Sequence, residues 1–196
     1  MSCRIDSLTG EAMRAAIPQL ARLRVTVFRD WPYLYDGTHD YESGYLRRFA
    51  ASKDAVVIAA YDGDEVVGAA TGAPLGDHAD DFAKAFAGDE LDISSIFYCG
   101  ESVLLPAYRG QGIGHAFFDG REAHARTLGR FTHITFCGVV RPDGHPLKPA
   151  HYRPLDSFWT KRGYRKAEGL TTTYTWKDID QAGETAKAMQ FWLKAL

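Results

Sequence analysis

Six residues, Arg109-Gly110-Gln111-Gly112-Ile113-Gly114, constrain this chain more than any others. Glycines at alternate positions let the backbone turn tightly and leave its N–H groups uncovered by side chains. The apolar run Val103-Leu104-Leu105 and Pro106 lead into them, and His115-Ala116-Phe117-Phe118 begin a helical pattern after them. The segment therefore reads as strand, turn and helix, with the turn's amides crowning a helix N-terminus. Such a terminus attracts anions through its unpaired N–H groups and its dipole, so the expected ligand carries phosphate.

Two better-known glycine loops do not fit. A triphosphate-binding loop needs Lys followed by Ser or Thr after its last glycine, and His115 and Ala116 stand there. The dinucleotide fingerprint G-x-G-x-x-G/A would end on His115 or Phe117. The stretch from Val103 to Gly114 resembles motif A of the GNAT family of N-acetyltransferases, whose R/Q-x-x-G-x-G/A signature opens the helix after the fourth strand. Ser157-Phe158-Trp159-Thr160-Lys161-Arg162-Gly163-Tyr164 resembles the family's motif B, commonly written Leu-Tyr-Glu-Lys-Leu-Gly-Phe. The resemblance implies that Arg109, Gly110, Gln111, Gly112, Ile113, Gly114 and His115 hold the pyrophosphate of acetyl-coenzyme A. It further implies that backbone groups of Ser102, Val103 and Leu104 pair with the pantetheine arm like an added strand.

At 196 residues the chain is expected to form one domain over 1–196. Its hydrophobic fraction of 45% and charged fraction of 24% are those of an ordinary globular protein. A net charge of −2 argues against nucleic-acid binding through a broad basic surface. The N-terminus has no apolar signal core and no later run approaches a membrane span, so a cytoplasmic protein without a membrane partner is expected. Cys3, Cys99 and Cys137 have no metal-ligand spacing; Cys99 and Cys137 sit in apolar runs and should be buried thiols. His145 and His151 form no H-x-x-x-H pair, and no metal is expected.

Along the chain, residues 2–6 suggest a strand, and Thr9 caps a helical segment that carries Leu20, Leu23 and Val27 at helical spacing, with Pro18 as the point where it could divide or kink. A second helix is expected from about Tyr41 to Ala51, a hairpin of strands over 55–61 and 65–72, and a short helix over 79–87. The central strand lies within 93–105. Ile113, Phe117, Gly120, His124 and Leu128 share one face of the next helix, where Gly120 permits close approach to the sheet. A strand over 131–140, a short helix over 156–162 and a strand over 171–176 follow, and the tail from Glu184 to Leu196 is helical by composition. Met189, Phe191, Trp192 and Leu196 of that tail could pack on their own domain or on a second copy, which leaves a homodimer open. The order is that of a mixed α/β fold with a mostly antiparallel central sheet flanked by helices, and it matches the acetyltransferase fold.

Direct acetyl transfer to an amine, through a ternary complex, needs a neutral amine, donors for the developing oxyanion and an acid for the leaving thiolate. Glu101 stands where related sequences often carry an acid and is the candidate base, with Tyr98 as a relay; whether Glu101 faces the cleft depends on a bulge. Many family members place a tyrosine in motif B where this chain has Trp159, whose indole N–H is no acid at neutral pH. Tyr152 is the preferred substitute and Tyr164 the second. The aromatic loop with Trp31, Tyr33, Tyr35 and Asp36, together with the Pro-rich connection 141–154, is the expected acceptor pocket for a small-molecule or peptide amine, with Asp36 or Asp40 drawing the cation. The alternative is a non-catalytic acyl-coenzyme A sensor.

Overall fold

The computed structural model describes residues 3–77, 80–86 and 91–196. Its seven strands are β1 (Arg4–Leu8), β2 (Val56–Asp62), β3 (Glu65–Pro74), β4 (Ile96–Leu104), β5 (His133–Val139), β6 (Arg165–Lys177) and β7 (Glu184–Ala195). They form one sheet in the order β1-β2-β3-β4-β5-β7-β6, antiparallel at every step except β4–β5.

Helices α1 (Gly10–Phe28) and α2 (His39–Phe49) cover one face of the sheet. Helix α4 (Ile113–Thr127) covers the other. Two shorter α-helices, α3 (Asp80–Lys84) and α5 (Asp156–Lys161), also occur among the described residues. Strand β2 shows why the layers form. Val57 and Ala59 pack under α1 and α2, while Val56, Ile58 and Ala60 pack under α4. A strand buried on both faces reads as a continuous apolar run instead of an alternating one.

Several elements sit where the sequence puts them. Pro18 does not divide its segment, which is one helix, α1, from Gly10 to Phe28. Thr38 caps α2 by accepting the Tyr41 N–H at 3.3 Å, and the helix begins at His39, two residues before its expected start. Gly120 meets Ile58: an added Cβ would lie 2.8 Å from Ile58 Cδ1. Cys99 and Cys137 are buried free thiols, with burial raising Cys99 to about 11 and Cys137 to about 12. Of the helix expected over 79–87, residues 80–84 form α3, and 79 and 87 lie outside the described residues, as does Ser2 of the first strand.

The tail is a correction. Residues 184–195 form strand β7, inserted between β5 and β6, and not a helix. Lys187, Met189 and Phe191 are buried at alternate positions, which is the period of a strand. Pairing with β5 from His133↔Ala195 to Val139↔Met189 overrides the helical leaning of Ala, Glu and Lys. Met189, Phe191 and Trp192 are thereby buried within their own domain and offer no surface to a second copy.

Candidate active site

Between the pairs Ala70↔Ser102 and Gly72↔Cys99, β3 supplies one residue, Thr71, and β4 supplies two, Gly100 and Glu101. This is a β-bulge. Before it, Phe97 and Cys99 join the cluster under α4, and Tyr98 points to the opposite side. The extra residue turns Glu101 to the α1 side, where Val103 follows it. In an unbroken strand Glu101 would have faced α4 beside Cys99. Gly100 is required here, because a Cβ on it would lie 2.5 Å from Thr71 Oγ1. The same hydroxyl accepts the Glu101 N–H at 3.2 Å.

Strands β4 and β5 pair only from Ile96↔His133 to Tyr98↔Thr135, although β4 continues to Leu104 and β5 to Val139. Past Tyr98 they part, and among the described residues no strand pairs with 99–104 on that side. Buried Arg121 of α4 braces the bulge from beneath, donating to Thr71 O at 3.3 Å and Glu101 O at 3.1 Å. Strand β4 then runs into the glycine turn. Gly110 has φ +78° and Gly112 φ +83°, and nothing lies within 4 Å of a Cβ built on either. His115 and Ala116 donate to Gly112 O, whereas the amides of residues 110–114 find no backbone acceptor among the described residues. Tyr108 ties the turn to the β2–β3 hairpin through Asp62 at 2.6 Å.

The walls around Glu101 are charged and aromatic. Arg24 of α1 pairs with Glu101 and also with Glu42 of α2; Arg24 and Glu42 are buried and the Glu101 side chain is 7% exposed. The Arg24 guanidinium lies 4.5 Å from the Tyr45 ring centroid and 4.9 Å from that of Phe28. Burial first, and nearby negative groups second, push the hydroxyls of Tyr33, Tyr35 and Tyr45 well above the ordinary phenol value. All three are therefore hydrogen-bond donors at neutral pH.

The aromatic loop is held by a second buried charge cluster. Arg141, just past β5, donates to Asp178 Oδ2 at 2.6 Å and Oδ1 at 3.0 Å, and also to Pro32 O at 2.7 Å and to Tyr33 O. Lys187 reaches the same carboxylate at 3.2 Å and donates to Trp176 O at 2.6 Å. Burial alone would raise the pKa of Asp178, but the bonds from Arg141 and Lys187 hold it below the usual carboxylate range. Backbone bonds from Asp36 N to Lys177 O and from Ile179 N to Leu34 O lay the loop beside the β6–β7 connection.

Residues expected to act together fall into three groups. Glu101, Tyr33 and Tyr35 gather around Arg24 and Glu42. Trp31 and Tyr152 meet edge-on at 5.8 Å, with His145 at 5.1 Å from Trp31, so the aromatic loop and the Pro-rich connection do touch. The remaining residues have other partners. The Tyr98 hydroxyl lies 3.3 Å from Cys137 Sγ, and the side chain packs in a core cluster with Cys137 and Phe191. Asp36 is partly exposed and already paired with Arg29 at 3.0 Å and Lys177 at 2.8 Å, and Asp40 is exposed in the first turn of α2. Tyr164 is fully buried and donates to Glu122 at 3.1 Å, so it has no access to a leaving thiolate.

At the turn, Arg109 folds back onto Leu104 O at 3.3 Å and Gln111 onto Ala107 O at 3.1 Å. The His115 ring packs on Phe158 at 4.9 Å, and its Nδ1 lies 3.2 Å from Arg162. Trp159 packs between Phe136 and Trp192 at 4.9 and 5.1 Å, with its ring 3.3 Å from where Gly138 would carry a Cβ. No cluster of metal-ligating side chains occurs among the described residues, and no helix there is long and apolar enough to cross a membrane.

A family model described as "Acetyltransferase (GNAT) family" matches residues 20–156. The chain belongs to that family. Solved structures share its fold over almost the whole length. A ribosomal-protein-alanine N-acetyltransferase from Brucella melitensis is 13% identical, with 98% of this chain and 99% of that one covered and a TM-score of 0.63. An aminoglycoside 6'-N-acetyltransferase complexed with coenzyme A is 15% identical over 98% and 96%, with a TM-score of 0.62. A putative acetyltransferase from Acinetobacter baylyi is 10% identical over 100% and 93%, with a TM-score of 0.64. No curated protein matches the chain in sequence.

Arg24, Glu42, Tyr45, Arg121 and the Arg141–Asp178–Lys187 cluster are not foreseen from the sequence. Two of them carried a signal. Arg24 follows Leu23 in the apolar stripe of α1, and Arg121 follows Gly120 in that of α4. A charge among apolar residues at helical spacing is a buried charge in search of a partner.

Proposed function

We propose that this protein is an N-acetyltransferase that moves the acetyl group of acetyl-coenzyme A directly to an amine held beside Glu101. The observation that carries the proposal is the bulge at Gly100–Glu101, which turns a carboxylate to the side of β4 that faces α1 while the strand itself leads into the glycine turn. The turn fits a pyrophosphate: its amides are unpaired, no side chain covers them, and they stand at the N-terminus of α4. The open backbone of residues 99–104 fits an extended amide-bearing arm. The bound thioester supplies the electrophilic carbon.

The residues of this chain then have defined tasks. Glu101 accepts the proton of the acceptor ammonium, directly or through water, and Arg24 fixes the orientation of its carboxylate. Unpaired N–H groups of β4 are the donors available to the developing oxyanion. Tyr152 is the candidate acid for the departing thiolate; burial, and then the negative Asp156, raise its pKa, so it holds its proton at neutral pH. Tyr98, with its hydroxyl against Cys137, has no task in the reaction.

Release of free coenzyme A thiol from acetyl-coenzyme A, followed with a thiol reagent across a panel of primary amines, tests the proposal. Acceptor-dependent release is expected, with kcat in Glu101→Gln down roughly a hundredfold and coenzyme affinity unchanged. Tight coenzyme binding without release for any amine would favour an acyl-coenzyme A sensor, a reading that Trp159 at the motif B tyrosine position supports.

A further inference from the structure

Both backbone polar groups of Glu101 are held by side chains from other elements. Its N–H donates to Thr71 Oγ1 at 3.2 Å, and its carbonyl accepts from Arg121 Nη1 at 3.1 Å. The same nitrogen donates to Thr71 O at 3.3 Å, across the bulge, and Arg121 Nε donates to Phe117 O at 3.2 Å. One guanidinium thus bonds a carbonyl on each strand at the point where the β3–β4 register breaks and a bulge disrupts the ladder. Arg121 is 2% exposed, and among the described residues its bonds go to carbonyls and no carboxylate pairs with it. The adjacent Glu122 is turned to Lys194 at 2.7 Å and Tyr164 at 3.1 Å. A guanidinium without a carboxylate is costly to bury, and an apolar side chain would fasten α4 to the sheet at less cost. An apolar side chain cannot donate to two bulge carbonyls at once.

We infer that Arg121 is a positioning residue for the transfer: from the α4 face of the sheet it holds the Glu101 peptide in the bulge, and so sets the direction of the Glu101 carboxylate on the α1 face. The inference rests on Glu101 acting as the base, as proposed above. Arg121 touches neither reactant and acts only through the backbone of Glu101. It lies about two turns into α4. The helix whose N-terminus stands at the proposed pyrophosphate site therefore also carries the staple that aims the base.

The test combines Arg121→Met with Glu101→Gln. In Arg121→Met kcat should fall about tenfold to a hundredfold, no further than in Glu101→Gln, with KM for acetyl-coenzyme A within about twofold of the parent. Added to Glu101→Gln, the same substitution should cost no more than about twofold, because a displaced base and a missing base leave the same residual rate. Arg121→Lys keeps the charge and can donate to one carbonyl, so it should displace Glu101 less and lose about threefold. It serves every reading should Arg121→Met fail to fold. Where Glu101→Gln lowers kcat, parent-like kcat in the Arg121 variants, or a loss that recurs undiminished beside Glu101→Gln, would overturn the inference. Crystal structures read the placement without turnover: the bulge should shift and the Arg24–Glu101 pair should break in Arg121→Met, and an unmoved Glu101 would by itself overturn the inference. A displaced Glu101 in a protein that releases no thiol, or whose Glu101→Gln variant keeps the parent kcat, would uphold the positioning role and refute the base reading alone.

Discussion

Replacing Arg141 by methionine removes the clamp on the aromatic loop while keeping a long apolar stem. In the native fold Arg141 donates twice to Asp178 and once each to Pro32 O and Tyr33 O, with its side chain 8% exposed and that of Asp178 fully buried. Breaking a buried ion pair costs about 3–5 kcal/mol when the surviving charge is left alone. Here Lys187 stays on Asp178, so the lower end applies, about 3 kcal/mol. For a chain of this size that is a fall in Tm of about 6–12 °C. Asp178, with a carboxylate held below its usual range, contributes stability that is full above the unfolded value near 3.9 and is lost as pH falls through the folded value. The deficit of Arg141→Met should therefore be largest near neutral pH and narrow as pH falls from about 5 toward 3. Thermal melts of parent and variant across that range, with coenzyme A affinity as a control, measure both effects. A Tm change under about 2 °C at pH 7, or a deficit that widens on acidification, would refute the clamp.

Other substitutions test the packing and the site. Gly44→Ala in α2 meets only Arg48 Nη1 at 3.9 Å and should stabilise by about 0.5–1 kcal/mol in denaturant melts. Gly120→Ala gains the same helix propensity but places Cβ 2.8 Å from Ile58, so a net loss of about 1 kcal/mol is expected; a gain would contradict the close approach of α4 to β2. Tyr152→Phe should lower kcat about tenfold with KM for acetyl-coenzyme A unchanged, and an unaltered kcat would remove Tyr152 as the acid.

The glycine turn, the hairpin, the helix start at Thr9 and the Gly120 contact were legible because each is local. They depend on positive φ, a turn or a helical period, all written in consecutive residues. Strand β7 was not legible, since Ala, Glu and Lys lean to helix and only pairing with β5 makes its alternation count. Glu101 was legible as a residue type but not in its direction, which hangs on one extra residue set by Thr71 across the ladder. The charge clusters were the least visible. Arg141 and Asp178 are 37 residues apart, and Arg24 and Glu42 are 18 apart on separate helices, so only the tertiary fold joins them.

The account places the coenzyme at the glycine turn, and the direct test of that placement is a calorimetric titration of acetyl-coenzyme A into the parent protein, Gly112→Val and Glu101→Gln. Gly112 sits at φ +83° with open space around it, so valine strains the backbone without filling a cavity. The account predicts saturable binding to the parent near one equivalent, at least about tenfold weaker binding to Gly112→Val, and parent-like binding to Glu101→Gln. Equal affinity for parent and Gly112→Val, with both folded, would contradict it.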